Sequence, residues 1–157
     1  MNVIIMGCGR TGAILARSLA NSGHSVTVID LDRRNAASLP ADKMASGDIR
    51  VIEGDGSTAE VLEEARIDQA DLFIALTGKS SLNGLAALKA KQVYRVMTAV
   101  AAVKSTDLGS VYEGLGVACV HPARLVADQV IAAVPQILLQ TDIQSAVAPA
   151  TAERQGG

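Results

Sequence analysis

The sequence predicts a doubly wound α/β domain, with a six-stranded parallel sheet between two layers of helices. Three observations predict it. Short β-branched runs alternate with helix-period segments along nearly the whole of the 157 residues. The runs are apolar on both faces, as strands of a parallel sheet covered on two sides must be. The first run passes directly into a glycine-rich turn that opens a helix, the arrangement of Rossmann-like nucleotide-binding folds.

Taken in order, Asn2–Met6 is the first strand, and Arg10–Asn21, with Ile14, Leu15 and Leu19 at helical spacing, is the first helix. Ser25–Asp30 is the second strand and Arg33–Leu39 a helix, with Asp32 placed to cap it. The third strand is Arg50–Glu53. Ser57-Thr58-Ala59-Glu60 then reads as a capping box for a helix over Thr58–Arg66, with Ser57 as the cap and Glu60 reaching back, worth about 1 kcal/mol. Asp71–Leu76, Val96–Val103 and Val117–Val120 complete the strands; Ser80–Gln92, Thr106–Gly114 and Pro122–Leu139 complete the helices. Pro122 suits a first helical turn, whereas Pro135 should kink or end the last helix. The nucleotide-binding domain is thus expected over residues 1–139. The aperiodic Ala/Thr/Gln/Gly stretch of 140–157 is expected to be a loosely ordered tail.

The chemistry-bearing motif is Gly7-Cys8-Gly9-Arg10-Thr11-Gly12, a G-x-G-x-x-G between strand and helix. Gly7 permits the tight turn, Gly9 lets the backbone approach a pyrophosphate, and Gly12 allows close helix–strand packing. Exposed N–H groups and the helix dipole favour an anion there. Eighteen residues beyond Gly12, the second strand ends on Asp30, placed to accept ribose hydroxyls, with Leu31 following. A carboxylate at that tip repels a 2′-phosphate. Arg33 and Arg34 argue the other way, but they also fit a helix start on the surface, so NAD or an adenine nucleotide is favoured over NADP.

Composition excludes other classes. One Phe, two Tyr and no Trp leave little to stack bases on, and a net charge of −2 offers no footprint for a phosphate backbone, so nucleic acid is not an expected partner. Cys8 and Cys119 form no CxxC, and no histidine cluster accompanies them, so no metal site is expected. No run reaches the ~20 apolar residues that span a bilayer, so direct membrane insertion is not expected and the chain reads as cytoplasmic. His24 reads as a turn residue and His121 as a structural one, while Cys8 reads as a packing residue. No catalytic constellation assembles, which sets a small NAD-dependent oxidoreductase or dehydrogenase fragment second among the readings. A nucleotide-free assembly module comes third, because all three glycines are retained.

Several spaced motifs occur in a characteristic order. They are Val3–Gly12, then Gly23-His24-Ser25 leading to Asp30, then Gly54-Asp55-Gly56-Ser57. Ala70–Thr77 with Asn83, Tyr112–Val117 and His121-Pro122 follow. Over about Asn2 to Val134 these resemble the nucleotide-binding N-terminal domain of Trk/Ktr-type potassium-transport regulators, the KTN or RCK-N domain. The resemblance implies a cytoplasmic regulatory subunit, peripheral to the inner face of the membrane, that gates a membrane potassium transporter subunit. It would respond to NAD(H) or to ATP, ADP or AMP, and form a homodimer or higher ring. It also implies that Gly7, Gly9 and Gly12 cradle phosphates, Asp30 holds the ribose, Asp55 lies beside the adenine and Thr77 lines the crevice over the phosphates. Arg10 would reach terminal phosphates of a nucleotide in a neighbouring subunit. The sequence departs from the family in three places. Ala102 stands where many relatives carry a basic residue, Ala123 stands where some carry a cation-binding acid, and only 22 residues follow Pro135 where a second domain usually does.

Overall fold

The computed structural model describes residues 1–134, so the expectations for the end of the last helix, for Pro135 and for the tail 140–157 lie outside the described residues. The chain divides into two units, Met1–Pro122 and a second from Ala123, and each is described by itself.

In the first unit, strands β1 (Asn2–Met6), β2 (Ser25–Asp30), β3 (Ile49–Glu53), β4 (Leu72–Ala75), β5 (Thr98–Ala102) and β6 (Ala118–Val120) form one sheet in the order β3-β2-β1-β4-β5-β6. Every pairing is parallel, with Ile4 opposite Thr27 on one side and Phe73 on the other. The expected doubly wound sheet is therefore the observed one. Its direction of winding reverses between β1 and β4, and in such folds the crevice outside the carboxyl ends of those strands takes the ligand.

Alternation along the strands divides the core in two. Ile4, Met6, Ile29 and Phe73 pack with Leu62 of α3 (Ala59–Glu64), with Ala86, Ala87 and Ala90 of α4 (Ser80–Gln92), and with Tyr112 of α5 (Thr106–Gly114). Val3, Ile5, Val26 and Val28 pack on the opposite face with Ala13, Ala16 and Ala20 of α1 (Arg10–Asn21). Alanine at the contact positions lets the helix axes come close to the sheet, which is the structural use of an alanine-rich, aromatic-poor core. Complete burial of Leu62 and Phe73 stabilises the fold by roughly 1.5–3 kcal/mol each.

Two local expectations are corrected. Arg33–Ser38 is a 3-10 helix in place of an α-helix, and it is followed by a short α2 (Ala41–Ala45) that the periodicity did not announce. Asp32 caps the 3-10 turn as expected, accepting from Arg34 N at 3.0 Å. The capping box is not formed. Thr58, not Ser57, caps α3 and accepts from Val61 N, because Ser57 donates both its N–H and its hydroxyl to Asp55 Oδ1, at 2.9 and 2.7 Å. Helix α6 (Pro122–Ala133), which leads into the second unit, has no buried residue.

Candidate functional site

The glycine loop is built from three different uses of a missing side chain. Gly7 has φ +107°, which an L side chain rarely adopts, and a Cβ there would lie 3.0 Å from the Leu76 carbonyl carbon and Thr77 N. Gly12 is pressed under the turn, where a Cβ would meet the Gly7 carbonyl oxygen at 2.0 Å. Gly9 caps α1, and a Cβ on it would meet nothing within 4 Å. That position faces open space, so a ligand can reach the main chain there. The first turn of α1 carries no acid and no side-chain cap, which leaves its orphan N–H groups to an anion.

Asp30 at the tip of β2 reaches back to this loop. Its Oδ2 accepts from Cys8 N at 2.6 Å, and its Oδ1 accepts from Asp32 N at 3.0 Å and from Asn35 Nδ2 at 2.8 Å. A carboxylate offers about four acceptor positions, so a place remains for a ribose hydroxyl. Arg34 is turned away and pairs with Asp32 at 2.7 Å, so this arginine is the surface residue of a helix start and not a free partner for a 2′-phosphate. Asp55 follows β3. The Ser57 hydroxyl and amide lower its pKa below the ordinary carboxylate value, with a smaller contribution from the charge of Lys79.

Beyond β4, Thr77 is held by the buried Asn83. Asn83 Oδ1 accepts from the amide and the hydroxyl of Thr77, at 3.0 and 2.5 Å, while its Nδ2 donates to the carbonyls of Thr77 and Ala102, both at 2.9 Å. All four hydrogen-bonding positions of the amide are filled, so the ends of β4 and β5 and the start of α4 are locked together.

These elements enclose a crevice of about 360 Å³ at the switch point, within the range of small-molecule sites. Of the residues singled out from sequence, Gly7, Gly9, Asp30, Leu31, Asp55 and Thr77 line it. Cys8 and Gly12 are buried behind the loop, and Arg10 and Thr11 lie exposed on the first turn of α1; none of these four lines the crevice. Burial, with a further push from Asp30, raises the Cys8 pKa, which makes it a packing thiol and not a reactive one. Sequence reasoning missed Asn35, Gly78 and Lys79 on the crevice wall, and gave no site role to Gly54 and Gly56, which flank Asp55 there. The signal for Lys79 was the Thr77-Gly78-Lys79-Ser80 run joining a strand to a helix. Phe73, Tyr94 and Tyr112 do not line the crevice; its apolar wall is Met6, Ile29, Leu31, Leu76 and Leu82.

Neither histidine reaches it. His24 precedes β2, at the opposite ends of the strands. His121 Nδ1 donates to the Val103 carbonyl at 2.9 Å, and its ring occupies the space a Cβ on Gly109 would need. A smaller cavity of about 260 Å³ lies at the amino ends of the strands, where Arg50 donates to the Glu64 carbonyl at the end of α3. No helix among the described residues is long and apolar enough to cross a membrane.

The profile of the TrkA-N domain matches residues 3–132. The chain is 34% identical over 131 residues to the Trk system potassium uptake protein TrkA of Streptomyces coelicolor, covering 83% of this chain and 57% of that one. It is 43% identical over 99 residues to the TrkA homolog of Pyrococcus abyssi, covering 62% and 42%. The chain thus spans about half the length of these curated relatives. Among solved structures, the TrkA-N domain of the Escherichia coli inner membrane protein ybaL superposes with a TM-score of 0.73 at 18% identity, covering 85% of this chain and 96% of that one. The AMP-bound C-terminal domain of Shewanella denitrificans Kef gives 0.64 at 19%, covering 92% and 95%. The GsuK channel bound to NAD gives 0.61 at 21%, covering 76% and 21%.

Proposed function

The chain belongs to the TrkA-N domain family, and on that premise we propose that it is the nucleotide-sensing regulatory domain of a potassium uptake system. In this reading residues 1–139 bind NAD(H) or an adenine nucleotide on the cytoplasmic side. The occupied and empty forms act differently on a membrane transporter subunit.

The observation that carries the binding is the crevice itself. Backbone at Gly9 opens on free space, Gly7 makes the tight turn beside it, Asp30 stands at the ribose position with an acceptor site to spare, and Asp55 and Leu31 stand beyond it. Leu31 is 66% exposed at the rim, an apolar cost in the free protein that an adenine face would remove. These residues fit an adenine nucleotide: main chain and the α1 dipole for phosphate, a carboxylate for the ribose, aliphatic walls for the base. Among the described residues Arg10 and Thr11 have no side-chain partner, which suits a ligand or a neighbouring subunit at the same helix terminus. We propose a homodimer or ring as the working form. Binding, not chemistry, is the role we assign to the site, since neither histidine reaches it.

A thermal-shift panel of NAD, NADH, NADPH, ATP, ADP and AMP tests this. Ligand at a hundredfold excess over its Kd adds ~2.7 kcal/mol, which at roughly 2–4 °C per kcal/mol raises the midpoint by about 5–10 °C. No shift with any member of the panel would refute nucleotide sensing. Steady consumption of NADH with a metabolite would replace it with an oxidoreductase.

A further inference from the structure

Four groups stand in a row across the crevice, in the order of the strands that carry them. Asp55 follows β3, Asp30 ends β2, Gly7 to Gly9 follow β1, and Gly78-Lys79 follow β4. Among the described residues that line the crevice, Lys79 is the single cation, against the carboxylates of Asp30 and Asp55. Those carboxylates are already engaged by Cys8, Asp32, Asn35 and Ser57. Lys79 is not engaged. Its side chain is exposed and forms no ion pair among the described residues.

The starting point of that side chain is nevertheless fixed. Lys79 N donates to Thr77 Oγ1 at 3.3 Å, and its carbonyl accepts from Asn83 N at 3.0 Å, tying it to the clamp at the end of β4. It occupies the N-cap position of the 13-residue α4, whose first turn holds no acid and whose cap makes no side-chain hydrogen bond. A cation is poorly matched to the positive end of a helix. Beside it, a Cβ on Gly78 would meet nothing within 4 Å, the same openness found at Gly9 on the facing side. Lys79 lines the crevice together with Asp55, and its charge makes a small contribution to lowering the Asp55 pKa.

We infer that Lys79 reads the number of phosphates on the bound nucleotide, selecting ligands that carry a second phosphate over those that carry one. This rests on the nucleotide-binding reading and deepens it. With the ribose at Asp30 and the first phosphate over Gly7 to Gly9, whatever extends further along the row of strands meets Gly78 and Lys79. Adenosine and AMP end before that point, and a diphosphate does not. A flexible ammonium group that gains an anionic partner only when the second phosphate is present converts ligand charge into affinity.

The test is titration calorimetry of AMP and ADP with the full chain, with Lys79→Gln and with Lys79→Arg. A charge-assisted contact at an exposed site predicts that the preference for ADP over AMP falls about tenfold in Lys79→Gln and returns in Lys79→Arg. The wild-type preference should also shrink between low and high salt. An ADP-to-AMP ratio unchanged in Lys79→Gln, with both ligands still bound, overturns the inference and leaves nucleotide binding standing. If the wild type binds neither AMP, ADP nor NAD, the binding reading fails and the inference with it.

Discussion

Asp30 has a second duty that its position alone does not reveal. On sequence grounds it is a ribose acceptor, and its replacement by Ala should abolish or weaken the nucleotide response while leaving the free protein's stability nearly unchanged. In the structure its carboxylate is the staple between β2 and the glycine loop, receiving one amide from each of Cys8 and Asp32 and the Asn35 side-chain amide. Removing it strands the partly buried Cys8 amide. Asp30→Ala should therefore lower the stability of the free protein by about 1–3 kcal/mol as well as remove the ligand-induced shift. Denaturant unfolding without ligand separates the two accounts: an unchanged midpoint would show that the staple contributes nothing. The same kind of competition explains the displaced cap at α3. Ser57 matches the capping pattern, but Asp55 two residues earlier captures its hydroxyl, and Thr58 takes over the helix. A motif read along the chain does not show whether a hydroxyl will donate to a nearby carboxylate or turn to accept from an amide of the helix's first turn.

Where periodicity is long and sharply bounded, element limits are legible. β1, β2, α1, α4 and α5 run over the residues that their patterns indicate. α2 is not legible, because a five-residue helix completes too few turns to show a period, and at Arg33–Ser38 the pattern announces a helical segment but not its 3-10 form. Nor is helix-to-helix packing. α4 mixes leucine and alanine with serine, lysine and glutamine and presents no distinct apolar stripe, so nothing in its sequence marks Gly84 as special. The structure does: a Cβ on Gly84 would meet the Tyr112 ring of α5 at 2.1–2.7 Å. Neither element gives way easily, since α4 is held by Asn83 and Tyr112 is buried. Gly84→Ala should cost about 1–3 kcal/mol by overpacking, despite alanine's better helix propensity, worth about 1 kcal/mol. Adding Tyr112→Leu should recover part of the loss, a non-additivity that a double-mutant cycle measures. A stabilised Gly84→Ala variant would show that the two helices separate freely.

At the scale of the molecule, what stands out is the apolar surface left over after the core is filled. In the first unit Val93, Met97 and Val111 are each at least 59% exposed, and α6 by itself exposes Leu125, Val126, Val130 and Ile131. Isolated exposed apolar side chains are ordinary, but on α6 four of them cover more than one face of a helix with no buried residue, with Val126 and Val130 one turn apart. Fully burying one such side chain is worth about 1.5–3 kcal/mol, so a solvated helix of that composition gains by covering Val126 and Val130. The charged pair Arg124 and Asp128 at i and i+4 provides a polar flank, as a helix pairing with a second apolar surface would keep. Self-association through α6 would cover Val126 and Val130 and would supply the oligomer we propose. Light scattering at micromolar concentration should report a dimer or larger species. Val126→Glu combined with Val130→Glu should shift it towards monomer, because two carboxylates buried at a symmetric interface meet their own copies. If the wild-type chain is a monomer at that concentration, the oligomeric reading fails. If the double variant stays assembled, α6 is not the element that carries it.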